Sequence, residues 1–224
     1  MYKVLKIMTY NIHSGKNLQG KNTFSKILNL IELHSPDILT IQEINENRVR
    51  GYQLSELSNS LGYNYHFGSH VKIKDGEYGI GTFTALPIIK KNHILLPSLG
   101  EQRGLLQTTL KINNKCLDIF NTHLGLNTLE RIKQFNIIEK IIKEINNQFI
   151  IFGDFNTTVP ILDSSLFKDA STWNNSQNNI PTLINSNKKI DYILVSKKIN
   201  TLFYEVLSVS LSDHYPLIAE IKIP

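Results

Sequence analysis

A single cysteine, Cys116, stands among 224 residues, which excludes an internal disulfide and the multi-thiolate site of a structural zinc. No apolar run approaches the ~18 residues that a membrane-spanning helix needs. The first ten residues lack the apolar core of a secretory leader. Together these absences lead us to expect a cytoplasmic protein with no transmembrane segment. His-Glu-x-x-His, Gly-x-Ser-x-Gly and P-loop patterns are missing too, so zinc-protease, serine-esterase and nucleotide-triphosphatase readings have no starting point. There is no internal repeat, heptad run, linker or shift in composition, and the length suits one domain over residues 1–224.

Hydrophobic residues make up 41% and charged residues 19% of the chain, the composition of an ordinary globular protein. The formal net charge is +5, a mild excess that favours anionic partners without forming a basic tail. The basic residues fall in scattered pairs, such as Lys90-Lys91 and Lys197-Lys198, which read as solvated surface.

Short apolar runs dominate. Val4 to Ile12 reads as a strand, Asn22-Thr23 as the cap of a helix through about His34, and Asp37 to Ile44 as a buried strand. Ser35-Pro36 stops that helix, because the residue before proline is pushed out of helical geometry. The strand–helix–strand opening points to an α/β architecture. A second helix fits Gln53 to Leu61. Strand-like runs follow at Tyr63–Phe67, Tyr78–Thr84, Ile88–Leu95, Gly104–Ile112 and Lys115–Thr122, with Asn113-Asn114 as a tight turn. Thr128 to Asn147 predicts the longest helix, with Leu129, Ile132, Phe135, Ile138, Ile142 and Ile145 on one stripe. Phe149–Phe152, Lys189–Ser196, Thr201–Val209 and Pro216–Ile223 complete the strands. Thr157 to Asn187 reads as a long loop with a helical turn near Ile161–Phe167.

Strand after strand runs apolar and then ends in Asn, Asp, Glu or His: Asn11, Glu43, His123, Asp154. Asp191 begins one later strand and Asp213-His214 precede the last. A sheet that gathers such groups at one rim builds a cleft of the kind that houses active sites. The donor set (Asn11, Glu43, Asp154, Asn156, Asp191, Asp213) is rich in hard oxygens, which suit Mg²⁺, Mn²⁺ or Ca²⁺. Glu43, alone or with Asp213 and Asn11, would satisfy Mg²⁺. Asp154 and Asn156 lie two apart and project to one side in extended chain. A histidine beside a carboxylate favours the imidazolium. This inventory fits attack of water on phosphorus, with a metal offsetting the negative charge that develops.

The same segments carry a resemblance. Tyr10-Asn11-Ile12-His13-Ser14-Gly15, Gln42-Glu43, Arg103-Gly104, Asn121-Thr122-His123-Leu124, Gly153-Asp154-Phe155-Asn156, Ile190-Asp191-Tyr192 and Ser212-Asp213-His214 stand in the order of the endonuclease/exonuclease/phosphatase superfamily. That superfamily includes pancreatic-type DNases, abasic-site endonucleases, inositol-polyphosphate phosphatases and neutral sphingomyelinases. The resemblance implies a four-layer α/β sandwich, with two mixed sheets face to face and helices outside. It implies a Mg²⁺-dependent hydrolase of phosphate esters, phosphodiesters first, with Mn²⁺ as the alternative metal. Glu43, Asn11 and Asp213 are then the metal residues. His214 pairs with Asp191, Asp154 orients or deprotonates water, and Asn156, His123 and Arg103 contact phosphate. The general base is Asp154 or His214. Glu77 is a candidate for orienting His123.

Two departures stand out. Ile80 replaces the Asn of the Gly-Glu-Tyr-Gly-Asn-Ala run common in bacterial relatives. Only 36 residues separate Asp154 from Asp191, without the long DNA-gripping insertions of abasic-site endonucleases. Nucleic acid remains an expected partner, and no obligate protein partner is evident. A phosphomonoesterase and a phospholipid or sphingomyelin-type phosphodiesterase are the alternatives. A phosphate- or nucleic-acid-binding module without catalysis is the reading from another class. Singly, Asn11, Glu43 or either histidine would read as structural; seven segments in order favour function. His34, His66, His70 and His93 read as structural or surface groups.

Overall fold

The computed structural model describes residues 3–173 and 179–224; positions 1–2, and 174–178 within the expected 157–187 loop, lie outside the described residues. The first strands are β1 (Lys3–Asn11), β2 (Ile38–Asn47), β3 (Gly51–Tyr52), β4 (Asn64–Ile73), β5 (Gly76–Thr84) and β6 (Ile88–Leu96). After them come β7 (Arg103–Ile112), β8 (Lys115–His123), β9 (Gln148–Asp154), β10 (Phe167–Asp169), β11 (Asp191–Ser196), β12 (Asn200–Val206) and β13 (Leu217–Ile223). The helices are α1 (Phe24–His34), α2 (Gln53–Leu61) and α3 (Thr128–Lys143). None of them is long and apolar enough to cross a membrane.

Two sheets result. One has the order β12-β13-β1-β2-β5-β4 with β3 paired to β2, and the other β10-β11-β9-β8-β7-β6. Both are mixed: β1 runs parallel to β2 and β8 parallel to β9, while the remaining pairs are antiparallel. Side-chain alternation explains the layering. Leu5 and Ile7 of β1 join Ile119, Ile150, Phe152, Ile193 and Val195 in the core between the sheets. Met8 and Tyr10 face outward and pack under Phe24, Ile27 and Ile31 of α1 and Leu54 and Leu57 of α2. Phe120, Ile151 and Leu194 face the other way, beneath Phe135, Ile138 and Ile142 of α3. The order is helix, sheet, sheet, helix, as the resemblance implied.

Local signals account for most boundaries. The α1 chain entry is held by Phe24 N–H donating to Asn22 Oδ1 (3.0 Å) rather than by the Thr23 side chain. Ser35 ends that helix in a left-handed conformation before Pro36. Asn127 caps α3 by accepting from the backbone of Leu129 and Glu130. Asn113 adopts φ +54° at the β7–β8 turn.

Three expectations are corrected. Helix α3 ends at Lys143, short of Asn147, because Asn147 donates instead to buried Asp118 (2.8 Å). Leu129, expected on the apolar stripe, is 70% exposed in the first turn. The helical turn expected near Ile161–Phe167 is reduced to a single turn closed by Leu166 N–H donating to Asp163 O (3.1 Å), and Phe167–Asp169 joins the sheet edge against Leu194–Ser196, where Lys189 Nζ holds Asp169 at 2.6 Å.

Candidate active site

The inward-facing alternation of several strands runs from apolar core to polar rim. In β1 the inner residues are Leu5, Ile7, Thr9 and then Asn11. In β8 they are Leu117, Ile119, Asn121 and His123, and in β9 Ile150, Phe152 and Asp154. Asp191 opens β11 directly opposite Asp154 in the register, and His123 pairs with Asp154 from the other side. Sheet order therefore delivers His123, Asp154 and Asp191 side by side.

Backbone strain completes the aim. A bulge between Ile41 and Ile44 interrupts the β2–β5 ladder, and within it Glu43 takes φ +60°. Gly153 sits at φ +139°, where a β-carbon would lie 1.9 Å from the Thr122 carbonyl oxygen. Only glycine fits there, which gives the Gly-Asp-Phe-Asn segment its first residue a physical reason. Asn156, at φ +51°, donates from its backbone to Asp154 Oδ1 (2.9 Å) and from Nδ2 to Leu124 O (2.8 Å). Non-glycine residues in such conformations gather here, at His13, Ser14, Glu43 and Asn156.

Asp154 lies between two histidines that are held in opposite states. Its Oδ2 is 3.6 Å from the Nε2 of His123 and 3.6 Å from the Nε2 of His214, and it accepts from Asn11 Nδ2 at 3.2 Å. His214 Nδ1 bonds Asp191 Oδ2 at 2.9 Å, and that oxygen also accepts from Thr182 Oγ1. Burial alone would lower the His214 pKa, but Asp191 and Asp154 outweigh it and raise it to about 10. His123 is depressed instead, by burial first and then by Arg103. The Arg103 guanidinium can only donate, so its 3.1 Å contact makes His123 Nδ1 the acceptor and leaves the proton on Nε2. Asp154 itself is raised, by burial first and by Asp191, with His214 pulling it back.

Glu43 and Asp213 each adjoin Asn11, Glu43 through the Asn11 amide and Asp213 through Ser212, which donates to the Asn11 carbonyl. Glu43 accepts from Asn11 Nδ2 (3.2 Å), and after burial its charge is the next influence that pushes the Tyr78 hydroxyl pKa up. Asp213 accepts from Ser212 and lies 3.7 Å from His13 Nδ1. Neither carboxylate has a Lys or Arg ion pair among the described residues. Carboxylate and amide oxygens of this kind are the donors that a hard divalent ion takes. Asn11 Oδ1 accepts from His13 N–H (3.1 Å) and retains its other lone pair. Asp154, Asp191 and His214 also present ligand-type atoms within 4.8 Å of one another. Within that group, which could hold a metal ion, the 2.9 Å imidazole–carboxylate bond already engages His214 Nδ1 and Asp191 Oδ2.

The remaining candidates divide. Arg103 is buried, with Nη1 engaged by Glu101 (2.7 Å) and His123. Glu77 pairs with Glu46 and Lys72 in the sheet, and the partner of His123 is Arg103 instead. Thr182 and Glu101 join the site without a signal in the sequence. Ser212, which opens the Ser212-Asp213-His214 segment, donates to the Asn11 carbonyl (2.8 Å). Thr182 lies in a polar stretch with no periodic signal.

Comparison with known proteins gives a concordant picture. Residues 8–214 match the Endonuclease/Exonuclease/phosphatase family. No curated protein matches the chain. Among solved structures, an endonuclease/exonuclease/phosphatase family protein from Bacteroides thetaiotaomicron is 19% identical, with TM-score 0.81, over 100% of this chain and 99% of that one. A mannosyl-6-phosphatase from the same organism is 21% identical, with TM-score 0.81, over 97% and 99%. TDP2 from C. elegans is 19% identical, with TM-score 0.77, over 98% of this chain and 75% of that one. At these identities the structures establish likeness of fold.

Proposed function

Because the chain belongs to the Endonuclease/Exonuclease/phosphatase family, whose members are phosphoesterase hydrolases, we propose that it hydrolyses phosphate esters with the aid of Mg²⁺, phosphodiesters first, with Mn²⁺ as the alternative ion. The observation that carries this reading is Asp154 flanked at 3.6 Å by the Nε2 atoms of a cationic and a neutral histidine. That separation is too long for a hydrogen bond, so both Nε2–H groups are left to donate elsewhere. A phosphate seated between them receives two protons' worth of hydrogen bonding in a buried site, where such contacts are strong.

Glu43 and Asp213, with the free lone pair of Asn11 Oδ1, would hold the cation, and the cation would offset charge on the phosphate oxygens. Asp154 aligns the attacking water and takes its proton as the new oxygen–phosphorus bond forms. Burial suits it to that task, because a raised carboxyl pKa makes a stronger base. His214, kept protonated by Asp191, donates to the phosphate, and Asn156, locked to Leu124 O, adds an amide contact. Arg103 acts through His123, whose tautomer it sets. The phosphorus–oxygen bond to the leaving group breaks in line with the incoming water, and the departing alkoxide takes its proton from solvent as the alcohol is released.

The test is turnover of bis-p-nitrophenyl phosphate and p-nitrophenyl phosphate in Mg²⁺ and in EDTA. We expect diester cleavage that EDTA abolishes. Cleavage undiminished by EDTA refutes the metal. Monoester cleavage alone replaces the diester reading with a phosphomonoesterase. Binding of phosphate without turnover of either substrate replaces catalysis with a binding module.

A further inference from the structure

Beside Glu43, a cavity of about 440 Å³ opens between the loop after β1, the β2–β3 turn and the β4–β5 hairpin. Its apolar lining comes from Val71, Ile73 and Tyr78 and its cations are Lys16 and Arg50; two carboxylates line it too, Glu101, which is held by Arg103 (2.7 Å), and Glu43, the residue proposed above to hold the cation. Neither cationic side chain makes a direct ion pair among the described residues, and the Arg50 charge reaches Glu101 only at longer range. The backbone under Arg50 is firmly built. Asn47 is buried and accepts from the backbone of Val49 (3.1 Å) and Arg50 (2.8 Å). Gly76 of the facing hairpin approaches so closely that a β-carbon there would meet Glu46 O at 2.2 Å. A different cavity of about 490 Å³, lined by Lys3, Ile112 and Pro224, shares no residue with the rim.

We infer that this cavity is a subsite for a second anionic group on the substrate. The inference rests on the hydrolase reading above. A guanidinium fork and an ammonium are the donors that recognise a phosphate, while an apolar floor suits the compact body joining it to the reacting ester. The volume lies in the range that small ligands occupy and would not enclose a duplex. The substrate class is therefore a small phosphate ester carrying a second phosphate.

The test compares matched probes that differ only in that group. One pair is thymidine 5′-(p-nitrophenyl phosphate) and its 3′-phosphorylated form; the other is fructose 6-phosphate and fructose 1,6-bisphosphate. Binding is measured with Mg²⁺ on Asp154→Asn protein, and turnover on the wild type. We expect the second phosphate to tighten binding at least tenfold in at least one pair, and the pair showing the preference tells a nucleotide from a sugar body. Adding Arg50→Met should bring the preference within twofold. Lys140→Met, which removes an equal charge from exposed α3, should leave it intact. Equal binding within both pairs, or a preference that survives Arg50→Met, overturns the subsite. Arg50-dependent preference without any wild-type turnover supports the subsite and refutes hydrolysis instead.

Discussion

Replacing Asp191 with Asn separates an acid–base partner from a metal ligand while keeping the side chain's shape. Asp191 Oδ2 accepts His214 Nδ1–H at 2.9 Å and Thr182 Oγ1–H at 2.5 Å, and all three residues are buried. Without the carboxylate charge, His214 loses the larger of the two attractions that overcome its burial. A hydrogen bond to a charged group contributes about 1.5–3 kcal/mol. If that stabilisation is expressed at the transition state, kcat falls about 10- to 150-fold, at 1.36 kcal/mol per decade. Stability should drop by about 1–3 kcal/mol through imperfect pairing in the buried cluster, or roughly 2–12 °C in Tm for a chain of this size. Mg²⁺ affinity should stay within twofold, because Glu43 and Asp213 are untouched. Steady-state kinetics, calorimetric melting and Mg²⁺ titration read the three effects separately. An unchanged kcat, or Mg²⁺ binding lost along with activity, would refute the assignment of Asp191 to His214.

Arg103→Met should free His123 to adopt either tautomer, seen as averaged ¹⁵N imidazole shifts, with kcat/KM lowered about tenfold; a single Nε2–H tautomer with full activity would contradict the coupling. Gly153→Ala forces a β-carbon against Thr122 O at φ +139°, and should cost about 3 kcal/mol or more; an unshifted urea midpoint would refute that constraint. His66 is depressed to about 4 by burial first and then by Lys91 and His93, and His70 to about 3 by burial, His93 and Arg103. The unfolded chain takes up these protons near pH 6.5, before the native protein does. Stability is therefore fully present above that pH and is lost as pH falls toward 4 and 3, by up to about 1.4 kcal/mol per pH unit for each imidazole. Melting from pH 7.5 to 4.5 should show a steeper decline than in His66→Gln; equal slopes would sink this explanation.

Strand alternation made much of the sandwich legible. The residues that reach the rim do so because they continue an inward-facing series, as Leu117, Ile119 and Asn121 lead to His123. The two faces of β1 likewise sort Ile7 from Met8 without knowledge of the partners. What stayed hidden depends on contacts between distant segments. Arg103 finds His123 only because β7 pairs with β8, and Glu101 finds Arg103 through the loop that returns the chain to β7. Glu77 stands close to the motif residues in sequence, yet strand pairing commits its segment to Glu46 and Lys72. The β10 edge is illegible in the sequence, because three residues make a strand only when a neighbour supplies the ladder. The strain at Glu43 has no local signature, since nothing in Gln42-Glu43-Ile44 demands a bulge.

The account stands on Glu43 anchoring a divalent cation beside Asp154. Calorimetric titration of EDTA-treated protein with Mg²⁺, comparing wild type with Glu43→Gln, tests that most directly. The account predicts one saturable site in the wild type and at least tenfold weaker binding in Glu43→Gln, with the Tm held. Equal Mg²⁺ affinity in the two proteins would contradict it.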